Sequence, residues 1–216
     1  MPKSRDELRA GIDPLTDAEL SRMTEVVTAG FRGDFERARL GLSDPCGRVR
    51  AAALAACQRL GRLDTPLLEA ALGDSAPEVR LAGAKAAAKV GSDSLLARLT
   101  NEKDPLVAEA LIFALGEQRD DAAYPALCEA ATSHPDALCR EAAVAAIANF
   151  ERDDSIEVLE KAAQDKPAIR RRVAVALAAV EDPRATELLR RLAEDRDWQT
   201  RQIAKEILVI EEGDRT

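Results

Sequence analysis

A pattern of about thirty residues recurs along the chain, a period typical of stacked helical units. In its clearest copy, residues 74–91, an acidic turn is followed by a proline, a Val-Arg pair and an alanine-rich stretch that ends at a glycine. Proline is tolerated in the first turn of a helix. Apolar residues recur four, seven and eight positions after the valine, which predicts one helical stripe. Six residues occupy the valine position, and we call them the anchors: Val49, Val79, Val107, Leu138, Ile169 and Thr200.

A second, shorter helix is predicted before each acidic turn, because leucines cluster there, as at Leu67, Leu68 and Leu72. Each repeat is therefore a helical hairpin that is too small to bury its own apolar faces. Neighbouring hairpins must stack and share a core. The sequence thus predicts an all-α fold, an α-solenoid of about six hairpins.

The first thirty residues predict a capping helix. Thr16 and Glu19 form a capping-box pattern, and the helix that they open is predicted to stop at Gly30. Residues 1–14 are polar and are predicted to be frayed. No Ser- or Gly-rich hinge interrupts the chain, so we expect one domain over residues 1–216. It comprises a tail and capping helix in 1–30, repeats in 31–210 and a polar tail in 211–216.

The pattern L-x-x-L-x-D, followed by V-R-x-x-A and A-L, resembles the HEAT family over residues 31–210. It is most similar to the short, alanine-rich HEAT-like repeats of phycobilisome lyase subunits. The resemblance implies a structural Asp–Arg ladder formed by Asp44 with Arg50, Asp74 with Arg80, Asp165 with Arg170, and Asp195 with Arg201. Two copies depart from it, with Ala108 in place of the third arginine, and with His134 and Cys139 at the acid and arginine positions of the fourth. We expect the ladder to weaken there, with a change of curvature or a local opening.

The resemblance also implies that the second helix of each hairpin lines the concave side of the solenoid. Positions two and six after the anchor should then point into a groove. Exposed apolar residues beside charged ones are typical of a partner site. The predicted partner-binding residues are Leu81, Lys85, Glu109, Phe113, Arg140, Val144, Arg171 and Val175. The alternative is an anchor register that is wrong by one residue, which would place Phe113, Val144 and Val175 in the core.

The composition agrees with a helical, alanine-based protein, with 46% hydrophobic, 3% aromatic and 32% charged residues. The net charge of −8 argues against general binding of polyanions. Cys128 and Cys139 lie across one predicted hairpin, where a disulfide is geometrically conceivable. Reduced thiols are favoured because no secretory signal is evident. No apolar run is long enough to span a membrane, so we expect a cytoplasmic protein without a membrane partner.

No catalytic residue, metal site or cofactor is predicted. The four cysteines lack C-x-x-C spacing and the chain has one histidine, so zinc ligands are missing. Nucleophile elbows, P-loops and dinucleotide-binding motifs are also missing. His134 near Cys139 is the one candidate catalytic pair, but His134 occupies the turn position of the repeat. Trp198, the only tryptophan, is predicted to pack at the end of the stack.

Three functional hypotheses follow. The favoured one is a non-catalytic scaffold that binds a partner protein or peptide in the concave groove. A second, implied by the resemblance, is an accessory subunit of a bilin-lyase-like modification system. A third is a HEAT-like DNA-binding or alkylbase-glycosylase protein, which the negative charge and the few aromatic residues disfavour. Its support is a late basic cluster, Arg170, Arg171, Arg172, Arg184, Arg190, Arg191 and Arg201.

Overall fold

The computed structural model describes residues 13–213, without the side chains of residues 211–213. Within these residues it has thirteen α-helices, three short 3-10 helices and no strand. The predicted all-α fold is confirmed. The predictions of a frayed segment in residues 1–14 and of a polar tail in residues 211–216 fall largely outside the described residues.

Helix α1, Asp17–Arg32, precedes six helical hairpins. The hairpins pair α2 (Phe35–Leu40) with α3 (Gly47–Arg59), α4 (Thr65–Leu72) with α5 (Pro77–Val90), α6 (Leu95–Asn101) with α7 (Pro105–Gln118), α8 (Tyr124–Ser133) with α9 (Ala137–Ala148), α10 (Ile156–Ala162) with α11 (Pro167–Leu177), and α12 (Pro183–Leu192) with α13 (Trp198–Gly213). The 3-10 helices are Gly41–Ser43, Asp121–Ala123 and Asp153–Ser155.

The chain divides into two compact units, unit 1 (Met1–Ala114) and unit 2 (Leu115–Thr216). In unit 1, α1 packs on α3 and α3 packs on α5. In unit 2, α9 packs on α11 and α11 on α13, while α10 contacts both α8 and α12. Within each unit, successive hairpins therefore stack with second helix against second helix. The single domain over residues 1–216 stays a prediction.

The core of each unit lies between neighbouring hairpins. The anchors Val49, Val79, Val107, Ile169 and Thr200 are all buried. In the first, second, third and fifth repeats the positions four, seven and eight after the anchor are buried as predicted, and so is position five, which the sequence pattern missed. After Thr200 only position four, Ala204, is buried. Position five is occupied by Leu54, Ala84, Ile112 and Ala174. Because many of these side chains are alanine, the helix backbones approach closely.

The predicted anchor of the fourth repeat is wrong by one residue. Leu138 is 44% exposed, whereas Cys139 is fully buried. Asp136 caps α9 by accepting the backbone N–H groups of Leu138 and Cys139. The small Cys139 fits the closely packed interior, so the anchor lies 32 residues after Val107. Val144, five positions after Cys139, is consequently a core residue and fully buried.

Helix α1 begins as predicted but ends later. The Thr16 hydroxyl accepts the N–H of Glu19, and the Glu19 carboxylate accepts the N–H of Thr16, so the capping box is confirmed. The helix continues past Gly30 and ends at Gly33, whose φ is 80°. Gly30 is buried, and a Cβ there would lie 2.8 Å from the Cβ of Ala56. Gly30 therefore permits close packing of α1 on α3 and does not end the helix.

Trp198 is also placed differently from the prediction. It is the first residue of α13 and its side chain is 65% exposed. It does not pack in the core because α13 is the last helix of unit 2 within the described residues. This leaves an indole at the surface.

Candidate functional site

Arginine–carboxylate pairs join the turns of neighbouring hairpins. Arg50 donates from Nε and Nη2 to the two carboxylate oxygens of Asp74, at 2.9 and 2.7 Å. Its Nη1 donates to the backbone carbonyl of Asp44 at 2.8 Å. Arg80, Arg140 and Arg170 likewise tie their own turn, through a carbonyl, to the carboxylate of the next turn. Arg22 contacts the next carboxylate, that of Asp44, in the same way. The predicted pairing of each arginine with the carboxylate of its own repeat is therefore wrong, because the carboxylate comes from the following repeat.

The same arrangement recurs in both units, and we call it the ladder. Its shortest N–O distances range from 2.6 to 2.8 Å. The pairs are Arg22–Asp44, Arg50–Asp74 and Arg80–Glu102 in unit 1, and Arg140–Asp165 and Arg170–Asp195 in unit 2.

Three ladder residues were missed in the sequence. Arg22 and Arg140 could have been found by spacing, because they lie 28 residues before Arg50 and 30 residues before Arg170. Glu102 could not be recognised from the sequence, because Asp104 lies two residues later in the same turn and fits the aspartate pattern of the other repeats. The Asp104 carboxylate instead accepts the N–H groups at the start of α7. Arg140 is consequently a ladder residue and not a groove residue.

Hydrogen bonds from arginine lower the pKa of the ladder aspartates. The side-chain hydrogen bond is the largest cause for Asp44, Asp74, Asp165 and Asp195. At Glu102, burial is the largest effect and raises the pKa. The hydrogen bonds from Arg80 and from backbone N–H groups outweigh it, so the net pKa is lowered. All five carboxylates are therefore charged at neutral pH.

His134 has a structural place in the fourth turn. Its Nδ1 accepts the N–H of Asp136 at 3.1 Å, and its carbonyl accepts a hydrogen bond from Arg140 at 2.7 Å. These contacts resemble those of the acid at the other turns. Cys139 serves as the buried anchor of α9. His134 and Cys139, the candidate catalytic pair, therefore both have structural roles. Among residues 13–210, no group of three or more His, Cys, Asp or Glu side chains could hold a metal ion.

The predicted groove residues of unit 1 lie at the surface. Phe113 is 55% exposed and Lys85 is exposed, while Leu81 and Glu109 are half-buried. The positions two and six after the anchor thus have the predicted exposure in α5 and α7. Partner binding by these residues stays a prediction.

The predicted groove residues of unit 2 are not all exposed and available to a partner. Val144 is core, so the predicted apolar row of Phe113, Val144 and Val175 does not form. Val175 is 48% exposed. Arg171 is half-buried and pairs with Asp197 at 3.0 Å. The two arginines among the predicted partner-binding residues, Arg140 and Arg171, are therefore already neutralised.

Unpaired positive charge is found instead on unit 1. Lys85 and Lys89 are exposed one helical turn apart on α5, and Arg59 is exposed on α3. The Arg59 guanidinium lies 4.2 Å from the ring centroid of Phe31, which is 69% exposed on α1. No carboxylate in the described part of the chain lies within ion-pair distance of these three cations. We call this surface the unit 1 face; it comprises Val27, Phe31, Arg59, Leu81, Lys85, Lys89, Glu109 and Phe113.

The late basic cluster is largely neutralised by ion pairs. Five of its seven arginines contact a carboxylate within 3.6 Å. Little free positive charge is left there for a phosphate backbone, which weakens the support for the DNA hypothesis. The pairs are Arg170–Asp195, Arg171–Asp197, Arg172–Glu141, Arg184–Asp182 and Arg190–Glu187.

Comparison with known proteins agrees with this architecture. A family model described as HEAT repeats matches residues 92–168 and, in a second and overlapping match, residues 125–209. Proteins with such repeats commonly serve as protein-interaction scaffolds and are typically non-catalytic. None of the helices in the described residues is both long enough and apolar enough to cross a membrane. No curated protein matches the sequence. The matched residues make up more than half of the chain, and the structure repeats the same hairpin and ladder over residues 35–90, so the chain belongs to the HEAT-repeat family.

Proposed function

We propose that the chain is a non-catalytic scaffold whose unit 1 face binds an acidic segment of a partner protein. The observation that supports this is the group of unpaired, exposed cations Arg59, Lys85 and Lys89, of which Arg59 lies over the exposed ring of Phe31. A chain with a net charge of −8 would repel an acidic partner at long range. A local cationic surface is therefore needed to attract one.

The apolar members of the unit 1 face supply the contact area. Phe31 and Phe113 are 69% and 55% exposed, and Val27, one turn before Phe31, is 40% exposed. Large aromatic side chains are enriched at the energetic centres of interfaces. The segment that fits is one in which acidic side chains alternate with leucine or phenylalanine, because such a segment would meet both kinds of group.

The positive charges would act mainly on recognition and on the association rate. Exposed ion pairs contribute about 0–1 kcal/mol each, so several must act together. The Debye length is about 8 Å at physiological salt, and binding should therefore weaken as salt is added.

Selection of short random peptides displayed on phage, with the full chain as bait, tests the proposal. We expect the enriched peptides to be rich in Asp and Glu with interspersed Leu, Phe or Trp. Binding of a labelled enriched peptide, measured by fluorescence anisotropy, should weaken about tenfold, or by about 1.4 kcal/mol, in the double variant K85E/K89E.

The matched control is K103E/K161E, which changes the charge by the same amount at two exposed lysines outside the unit 1 face. It should bind the peptide like the unchanged chain. Enrichment of neutral or basic peptides would contradict the proposal. An equal loss of binding in the two double variants would contradict it as well, since net charge alone would then explain the effect.

A further inference from the structure

The ladder of unit 2 ends on an arginine whose carboxylate side is open. Arg201 follows the anchor Thr200, and its Nη1 donates to the backbone carbonyl of Asp195 at 2.6 Å. Arg170 makes the equivalent contact with the carbonyl of Asp165 and also holds the carboxylate of Asp195 with Nε and Nη2. Among residues 13–210, no carboxylate lies within ion-pair distance of Arg201.

The backbone at the far end of α13 lies well away from Arg201. Glu211 and Glu212 follow Arg201 by at least ten residues in the same helix, which corresponds to about 15 Å along the helix axis. The guanidinium of Arg201 is thus held by a carbonyl, as in the ladder pairs. Its Nε and Nη2 have no carboxylate partner within the described part of the chain.

Exposed apolar side chains lie on the same helix. Trp198, three residues before Arg201, is 65% exposed, and Val209, eight residues after it, is 68% exposed. Position five after the anchor is buried in α9 and α11, but in α13 it is the exposed Lys205. At position five, α13 is therefore exposed where α9 and α11 are buried. We call the surface formed by Trp198, Arg201, Lys205 and Val209 the α13 face.

We propose that the α13 face binds a helical hairpin of a partner protein that carries an aspartate or glutamate in the turn between its helices. The chain itself shows what this position accepts, because its other ladder arginines each hold such a carboxylate at 2.6–2.8 Å. The partner's second helix would cover Trp198 and Val209, and its carboxylate would pair with Arg201. The positive charges of Arg201 and Lys205 favour an acidic turn.

A second copy of the chain does not offer a free ladder carboxylate. Each of its ladder carboxylates is already held by an arginine. Docking one of them on Arg201 would require a rung of the second copy to break. The proposed occupant is a different protein with an unpaired acid in its turn.

The probe is a fluorescein-labelled peptide of residues 153–180, which copies a hairpin with Asp165 in its turn and contains neither Trp nor Cys. Its binding to the full-length chain is followed by fluorescence anisotropy. We expect saturable binding that weakens at least tenfold when the peptide carries Asp165→Asn, a change that leaves the protein untouched. We expect the same loss when the protein carries Arg201→Met, and a partial loss with Trp198→Ser.

Two controls separate this surface from others. Arg190→Met removes an exposed arginine of unit 2 that pairs only with Glu187, and it should leave binding unchanged. The variant K85E/K89E should also leave binding of the hairpin peptide unchanged. Failure of the proposal for the α13 face can then be distinguished from failure of the proposal for the unit 1 face. Absence of saturable binding, or binding that is indifferent to Arg201→Met, would overturn the proposal. Self-association in sedimentation velocity that Arg201→Met abolishes would overturn it too, since the occupant would then be a second copy.

Discussion

Arg170 is the most deeply buried ladder arginine among the described residues, with 5% of its side chain exposed. It contacts the carboxylate of Asp195 and the carbonyl of Asp165. Removing one partner of a buried pair leaves the other charge uncompensated. We therefore expect Asp195→Asn to lower the free energy of unfolding by about 3–5 kcal/mol, as measured by urea denaturation.

Asp182→Asn is the matched control, because Asp182 pairs with the exposed Arg184 and also caps α12, a role that asparagine keeps. It should change the urea midpoint far less than Asp195→Asn. Equal shifts of the urea midpoint in the two variants would show that burial of the ladder pair does not increase its contribution to stability.

The lowered carboxylate pKa values predict sensitivity to acid. A carboxylate with a lowered pKa in the folded state stabilises the fold above its unfolded pKa, which is near 3.8 for aspartate. That stability is lost as the pH falls through the folded pKa. We expect the urea midpoint to be nearly constant near neutral pH and to fall below about pH 4.

Asp74→Asn tests the source of this acid sensitivity, because it removes one carboxylate whose pKa Arg50 lowers. The variant should be less stable at neutral pH and should lose less stability on acidification. Parallel pH curves for the variant and the unchanged chain would contradict the assignment.

At the residue level, most anchors could be predicted from the sequence. A helix that buries one apolar stripe repeats its apolar residues at a regular spacing, and that spacing marks the anchor. It did not predict which acid joins the ladder at Glu102 or the register at Cys139. Both depend on the path of a turn, and the apolar pattern carries no information on that path. Leu138 is more apolar than Cys139, yet the smaller side chain occupies the interior.

At the scale of elements, close helix packing depends on individual small residues. A Cβ at Gly30 would lie 2.8 Å from the Cβ of Ala56, so α1 and α3 must separate to accommodate it. Overpacking of this kind costs about 1–3 kcal/mol, which exceeds the gain in helix propensity of about 1 kcal/mol from replacing glycine. We expect Gly30→Ala to destabilise the chain in thermal and urea unfolding.

The double variant G30A/A56G distinguishes packing from propensity, because it restores the space between α1 and α3. It should be more stable than the sum of the two single changes predicts. Strict additivity would mean that the close contact does not cause the loss.

The capping box at Thr16 and Glu19 shows which element boundaries local sequence determines. Its two hydrogen bonds involve only residues within one turn, so the local sequence was sufficient to predict the start of α1. The end of α1 was mispredicted because a glycine favours a helix end only when no neighbour requires its small size. That requirement at Gly30 comes from Ala56, in a different helix.

At the scale of the whole molecule, stacked repeats should lose structure locally. A Cβ at Gly83 would lie 3.2 Å from the backbone nitrogen of Leu72, so a leucine there must push α5 away from α4. Because each repeat contacts only its neighbours, Gly83→Leu should raise hydrogen exchange in residues 65–90. Residues 167–210 should keep their protection.

Ala70→Leu, which adds a similar side chain at an exposed position of α4, should leave the exchange pattern unchanged. Loss of protection along the whole chain in Gly83→Leu would contradict a locally cooperative stack. The predicted weakening of the ladder at the fourth repeat is wrong, because Arg140 occupies the arginine position and pairs with Asp165 at 2.6 Å. The predicted weakening near Ala108 stays a prediction, as does the likeness to phycobilisome lyase subunits.

Membership of the HEAT-repeat family could be predicted from the sequence, because the repeat pattern recurs along the chain. The location of the partner surface did not follow. Arg140 and Arg171 were assigned to a partner by position alone, and their carboxylates come from the next turn. Pairing across a stack decides which charges stay available, and only the folded arrangement reveals it.

Titration of the ¹⁵N-labelled chain with an enriched acidic peptide shows directly whether the unit 1 face recognises acidic segments. We predict that the amide signals which shift belong to residues near Arg59, to residues 81–89 on α5 and to the neighbourhood of Phe113. Shifts confined to α4, α10 and α12, or no shift at saturating peptide, would contradict it.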